Sequence, residues 1–346
     1  MIKKEKCPTC GRLFGYLSQH KCTSFRNRGI KRISEIKALE SLDLQWLDLR
    51  DNSITEIEGL EKQLNLKELT LENNSITEIK GLENLVNLKY LSISENELIE
   101  IKGLENLVNL EILCLDSNNL TEIKGLDNLV NLKKLRLYNN RITEIKGLGN
   151  LVNLEKILLD KNSITEIKGL ENLVNLKNLS IGRNKLTEIK GLENLVNLEI
   201  LELDRNELTE IKGLDKLENL NTLRLSDNQI TEIRGVGNLK KLKFLIIDNN
   251  PIIWHEGLTD IEKIKEYCRQ PIKKIEYKPE EIGKCGQCFK RFPRIKFKRI
   301  YCRNCIKYPR PAPSIDACPD CYEKNFYYCD DCEDLFESMR KTYTKL

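Results

Sequence analysis

Residues 186–207 read LTEIKGLENLVNLEILELDRNE, and near copies of these 22 letters stand on both sides of them. TEIKGLENLVNL returns almost unchanged, whereas the positions around each LxLxxN differ from copy to copy. Asparagine sets the register, with Asn52, Asn74, Asn96, Asn118, Asn140, Asn162, Asn184, Asn206, Asn228 and Asn250 following at steps of 22 residues. Leucines precede each one, as Leu132, Leu135 and Leu137 precede Asn140, and a glycine follows in step from Gly59 to Gly257.

An LxL triplet alternates with period two, which predicts a short strand with one face buried and one open. A single 22-residue coil cannot bury its apolar side, so the copies must stack into a curved array of parallel strands. The asparagine ladder is expected to satisfy backbone groups at the turn after each strand, since buried amides do not stay unpaired. The glycines are expected to supply turn conformations that a Cβ hinders. GLENLVNL reads as a short helical or extended segment on the convex side.

This pattern is similar to the leucine-rich repeat. At this repeat length ITEIKGLENLVNL resembles the leucine-rich-repeat regulatory subunit of type-1 protein phosphatase and the repeat regions of bacterial internalins. The resemblance implies an α/β solenoid, a leucine-rich-repeat horseshoe with a parallel concave sheet. It is specific for fold and poorly specific for partner.

The copies act as each other's control. The scaffold letters are constant, while the residues flanking and between the two strand leucines are individual and point onto the concave sheet. A protein partner is therefore expected there, bound through Trp46, Asp48, Arg50, Glu68, Tyr90, Asp116, Lys134, Arg136, Tyr138, Lys156, Glu202, Asp204, Arg224, Phe244 and Asp248. Aromatics among mixed charges suit a protein interface. Acids outnumber bases on this face, which argues against nucleic acid as its ligand.

The ends differ from the middle. Ten of the 13 cysteines of the 346-residue chain fall in five CxxC pairs, a spacing that in a reducing compartment favours metal over disulfide. Both terminal segments are basic and the middle is acidic, within a net charge of +4. Three modules follow: a zinc finger at 1–24, the solenoid with its caps at 25–270, and a double zinc-ribbon module at 271–346. Cys7, Cys10, His20 and Cys22 offer four tetrahedral zinc ligands, although the single residue between His20 and Cys22 departs from the usual finger spacing. Cys285, Cys288, Cys302, Cys305, Cys318, Cys321, Cys329 and Cys332 supply two closed sites of four thiolates, in which zinc is structural. Sequential and cross-brace pairings both satisfy the spacing, and the stiff stretch YPRPAPS at 308–314 favours the sequential one.

The caps are also legible. RISEIKALESL, Arg32 to Leu42, reads as a weaker copy that begins an N-terminal cap, and TSFRNRGIKR, residues 23–32, as a basic tether ahead of it. Ile261, Ile264, Tyr267 and Cys268 fall at helical spacing after an expected N-cap at Thr259, so this segment closes the other end of the core. Trp254 and His255 read as cap packing.

The expected function is a non-enzymatic interaction scaffold. With two histidines and neither a P-loop, a dinucleotide fingerprint nor a Ser-His-Asp set, the chain offers little for catalysis. Two alternatives remain. Between Lys290 and Arg310 basic residues interleave with Phe292, Phe297, Tyr301 and Tyr308 and no acid, which suits a nucleic-acid adaptor. The eight-ligand count suits a RING-like ubiquitin-ligase adaptor by analogy alone. No apolar run spans a bilayer and no signal-peptide core opens the sequence, so a cytoplasmic protein without membrane contact is expected.

Overall fold

The computed structural model describes residues 24–252, save 38, 40 and 41, and residues 260–270. It also describes four short strands at Glu5–Lys6, Leu13–Phe14, Ile282–Lys284 and Arg291–Pro293. The chain divides into two units, Met1–Gln270 and Pro271–Leu346.

Within the first unit ten three-residue strands, from Trp46–Asp48 of coil 1 to Phe244–Ile246 of coil 10, pair in sequence order in one parallel sheet. Each residue lies beside the one 22 positions away, as Leu47 beside Leu69 and Leu201 beside Leu223. The parallel-strand solenoid expected from the period is therefore present. The central leucine of each triplet and the aliphatic residues of the rest of the coil fill one continuous core; Leu69, Leu71, Ile76, Leu82, Leu85 and Leu88 of adjoining stretches are all fully buried. A single coil has no such interior, so these side chains gain their burial from the neighbours above and below.

The asparagine ladder joins coil to coil. Nδ2 of Asn118 donates to the carbonyls of Leu115 and Asp116 in its own coil and of Ile93 in the coil before, and its Oδ1 accepts from Leu98 N at 3.0 Å. One amide thus serves a buried turn on both of its sides, which is why no residue lacking both a donor and an acceptor can hold the position. The residue just before each asparagine, such as Ser117 or Lys161, takes a left-handed conformation with φ near +55°.

The convex segment differs from a helix. Leu85 N donates to Leu82 O and Leu88 N to Leu85 O, and the same two three-residue turns recur through the coils. Among the described residues the helical conformations are 3₁₀ turns at Ile33–Glu35 and at residues 37 and 39, and α1, Ile261–Arg269, all in the caps. The α/β label therefore holds only through α1. The glycine after IxxI approaches the preceding coil closely: a Cβ on Gly103 would stand 2.2 Å from the Ile79 carbonyl oxygen.

The N-terminal cap begins earlier than the sequence suggested. Ser24 bridges Asp48 in parallel, Phe25 is 3% exposed inside the core, and Asn52 Oδ1 accepts from Arg28 N and Ile30 N. Residues 24–30 are thus a partial coil and not a tether. They align with residues 48–54 at an offset of 24, two longer than the period, and that slip hid them.

At the other end Ile264 of α1 is buried and Ile261, Tyr267 and Cys268 pack against the core, as expected. The N-cap is Asp260, one residue after the expected Thr259, with its carboxylate accepting from Lys263 N. Arg234 closes the helix: its guanidinium lies over the Tyr267 ring, 4.3 Å from the centroid, and donates to the carbonyls of Tyr267 and Gln270. Trp254, His255 and Thr259 lie outside the described residues.

Candidate interaction face

Each coil presents three side chains on the sheet face away from the leucine core: a leading, a middle and a trailing residue, such as Trp46, Asp48 and Arg50 in coil 1. Period-two alternation puts them there, and the parallel register stacks like positions from coil to coil, about 4.8 Å apart.

The leading position is the open one. Trp46, Glu68 and Phe244 are exposed, Phe244 at 58%, while Tyr90, Lys134 and Lys156 are half-buried. In the trailing row Tyr138 and Asp248 are exposed, and Arg50 and Asp204 are half-buried. Arg136, Glu202 and Arg224 of the middle row are also half-buried. Asp48 and Asp116 are buried, at 2% and 7%, as are Thr70, Ser92, Cys114 and Ser180. Open exposure does not hold for these: Thr70, Ser92 and Cys114 stand side by side in one row of short side chains, Asp48 is engaged by Arg50 of its own coil and by Ser24 Oγ, and Asp116 and Ser180 are engaged by Arg136 and Glu202 one strand away.

The buried acids are held by neighbouring strands. Asp116 Oδ2 accepts from Arg136 Nε at 2.6 Å and its Oδ1 from Tyr138 N at 2.9 Å. Asp204 repeats the arrangement with Arg224 Nε at 2.7 Å and Ser226 N at 2.8 Å. Asp48 instead pairs with Arg50 of its own coil through Nε and Nη2. Burial pushes the Asp48 carboxyl up, but the Arg50 hydrogen bonds and charge, with the Ser24 hydroxyl, more than reverse this and leave it below the ordinary range. Asp160 has no such guanidinium, and its burial holds the carboxyl above the ordinary range against hydrogen bonds from Ser180 and Gly182 N. Tyr90 beside Cys114 is pushed up to about 12, chiefly by burial. Burial also raises the Cys114 thiol, which favours its protonated form.

The expected set omits Glu72 and Asp160, which this geometry places in one row with Asp116, Asp204 and Asp248. Glu72, Asp116, Asp160, Asp204 and Asp248 put an acid in the trailing position of every second coil, a spacing of 44 residues legible in the sequence once odd and even coils are separated. Ser180 and Gly182 stand on the same face between two such coils and are also absent from that set.

Beside the sheet runs a polar groove of about 590 Å³, lined by Asn131, Asn153, Asn175, Asn197, Lys133 and Glu155 among others. Its asparagines donate to the carbonyls of the coil before, as Asn153 Nδ2 to Val130 O, and Lys177 pairs with Glu155 at 3.0 Å. These are scaffold letters, and exposed ion pairs of this kind contribute little.

The cysteine sets lie outside the described residues: Cys7, Cys10, His20 and Cys22 at one end, and Cys285, Cys288, Cys302, Cys305, Cys318, Cys321, Cys329 and Cys332 at the other. The described backbone near them forms two antiparallel pairings, Glu5–Lys6 with Leu13–Phe14 and Ile282–Lys284 with Arg291–Pro293.

A family model described as Leucine Rich repeats (2 copies) matches residues 43–84, 64–106, 130–172, 174–216 and 218–266, together more than half of the chain. No curated protein matches it. Among solved structures, the internalin InlF of Listeria monocytogenes is similar at 27% identity and a TM-score of 0.58, over 68% of this chain and 76% of that one. Internalin C2 of the same bacterium is similar at 34% identity and a TM-score of 0.52, over 54% and 83%. TLR13, solved in complex with ssRNA13, is similar at 26% identity and a TM-score of 0.58, over 64% and 34%.

Proposed function

Because the chain belongs to the leucine-rich-repeat family, we propose that it is a non-enzymatic scaffold that grips a protein partner on the open face of its sheet, the concave side of the expected horseshoe. One observation carries this reading. The letters that repeat are the ones that build the core and the turns, and the letters that vary gather on a single ten-stranded face with Trp46, Tyr138 and Phe244 exposed. Exposed aromatics on a rigid sheet cost little entropy on binding and serve as anchors. The test is a pull-down with the wild-type chain against a variant carrying Trp46→Ala, Tyr138→Ala and Phe244→Ala. Loss of specific partners from the variant supports the reading, and an unchanged set of partners removes it.

Structural zinc modules at both ends add contacts in this proposal. The support is chemical: Cys7 and Cys10 lie in sequence between Glu5–Lys6 and Leu13–Phe14, and Cys285 and Cys288 between Ile282–Lys284 and Arg291–Pro293. A CxxC pair between two short paired strands suits a zinc knuckle, and thiolate zinc sites suit a cytoplasmic protein. No described helix is long and apolar enough to cross a membrane. A second reading, nucleic-acid contact through the basic C-terminal module, rests on its charge and aromatics. A salt-sensitive shift with RNA or DNA, lost when Lys296, Lys298 and Arg299 are neutralised, would favour it.

A further inference from the structure

Where the chain leaves each strand, exposed side chains line one flank of the solenoid in rows. The first row is the left-handed residue before each ladder asparagine, and most of its members are engaged by a neighbouring coil. Asp51 pairs with Arg26 and accepts from Asn73, Asn139 donates to Ser117, and Asp227 pairs with Arg205 and accepts from Asn249. Glu95, Lys161 and Arg183 are left over, all exposed and without a side-chain hydrogen bond or ion pair among the described residues. In the second row, two residues on, Glu97, Arg141, Lys185 and Glu207 are likewise exposed and unpaired among the described residues. The unpaired charge is thus sorted along the flank. Glu95 and Glu97 belong to coil 3, whose strand is Tyr90–Ser92, and the bases Arg141, Lys161, Arg183 and Lys185 to coils 5 to 7, ahead of Glu207 on coil 8.

Coil 3 departs from its copies a third time. Two residues after Glu97, where coils 1, 2 and 4 to 9 carry threonine, it carries Ile99, which is 64% exposed, more than any other large apolar side chain among the described residues. Glu95, Glu97 and Ile99 alternate with the buried Asn96 and Leu98, so an extended run turns all three to the same side. Coil 7, whose strand is Asn178–Ser180, has Arg183, Lys185 and Thr187 in the same three positions, alternating with the buried Asn184 and Leu186. An apolar tip with two free carboxylates and a pair of free bases are complementary halves of one contact, borne on one flank. Four strand spacings, about 19 Å, keep them from meeting within a chain.

We propose that two copies of the chain associate antiparallel through this flank, Glu95, Glu97 and Ile99 of each lying against Arg183, Lys185 and Thr187 of the other. A two-fold axis through coil 5 makes both contacts at once, as an isologous pair requires. Rotation about it reverses the order of the coils and keeps the order of the rows, so Glu95 faces Arg183 and Glu97 faces Lys185. Charge sets the register, and Ile99 adds the apolar contact that screened surface charges lack. The two Arg141 side chains meet near the axis, a like-charge contact that limits the affinity. A contact reaching from coil 3 to coil 7 is small for a stable interface, so the pair is weak and salt-sensitive. It leaves the open sheet face free and does not depend on what binds there.

The test is sedimentation velocity on the full chain from micromolar to near-millimolar concentration. Wild type should show a monomer–dimer equilibrium at low salt that moves about tenfold toward monomer in about 1 M sodium chloride, where the screening length is about 3 Å. Glu95→Lys with Glu97→Lys, and separately Arg183→Glu with Lys185→Glu, should each be monomeric, because each sets like charges face to face. All four positions are exposed, and the left-handed row already holds glutamate, lysine and arginine, so both variants should fold. Mixed together, the two variants carry opposite charges at both contacts and should form a heterodimer. Ile99→Thr, which restores the residue of the other copies, should weaken the pair about tenfold, and Arg141→Ala should tighten it. A wild-type chain that stays monomeric throughout, a dimer that survives either reversal, reversed variants that stay monomeric when mixed, or a pair loosened by Arg141→Ala would each overturn the proposal.

Discussion

Gly169 lies so close to Ile145 of the preceding coil that a Cβ placed on it would stand 2.5 Å from the Ile145 carbonyl oxygen. Its φ of +77° adds a left-handed backbone to the same position. Two demands, conformation and clearance, therefore fall on one residue of the coil, and the neighbour is backbone that cannot swing aside.

Gly169→Ala should accordingly cost more than about 3 kcal/mol, combining left-handed strain with displacement of a packed coil. Gly29→Ala is the control, since Gly29 has φ +66° but nothing within 4 Å of a Cβ. It should cost only the conformational part, about 1–2 kcal/mol. Denaturant midpoints at unchanged slope measure both. Equal losses would show that clearance between coils plays no part.

Asn118→Ala leaves Leu98 N without its acceptor and the carbonyls of Ile93 and Leu115 short of a donor in a buried turn. At about 1–3 kcal/mol for a buried polar group left unpaired, a loss of about 3 kcal/mol or more is expected. Asn109 donates to Val86 O on the exposed outer side, so Asn109→Ala should cost about 1 kcal/mol or less. The ratio of the two midpoint shifts is the measurement.

Asp48 and Asp160 should give opposite pH signatures. The Asp48 pKa is depressed by folding, so its contribution is present above the unfolded value near 4 and is lost as pH falls through the folded one. Asp48→Asn should lower stability at neutral pH by about 2 kcal/mol, with the difference fading in acid. The Asp160 pKa is raised, so its contribution is full below the unfolded value and is lost as pH rises through the folded one. Asp160→Asn keeps an acceptor for Gly182 N and should equal or exceed wild type at neutral pH, with no advantage below about pH 4. Parallel pH profiles for the two variants would contradict this assignment.

Elemental analysis should find about two to three zinc ions per chain if the cysteine pairs hold structural metal. Chelation should then release them and leave most of the circular dichroism of the solenoid in place. A stoichiometry below two, or loss of the whole signal in one transition, is the opposing result.

Much of the fold was legible because stacking imposes the period. Leu132, Leu135, Leu137 and Asn140 could be assigned from one coil and then transferred to nine others. Phe25 was not legible, because its coil is two residues longer than the period and its neighbours carry the charge of a tether. The open rows of the face were legible at Trp46, Tyr138 and Phe244, whose size keeps them exposed whatever stands beside them. Burial of Asp48 and Asp116 was not, since it depends on residues one strand away.

The sequence by itself determined the coil, the strand triplet, the asparagine ladder and the direction each triplet faces, because these follow from local alternation repeated until it must stack. Only the tertiary structure decided which carboxylates find a guanidinium. Asp116 and Arg136 are 20 residues apart and Asp160 and Ser180 are too, but the contact exists only once adjacent coils lie one strand spacing apart. Electrostatic pairing needs that proximity, which chain order alone does not supply.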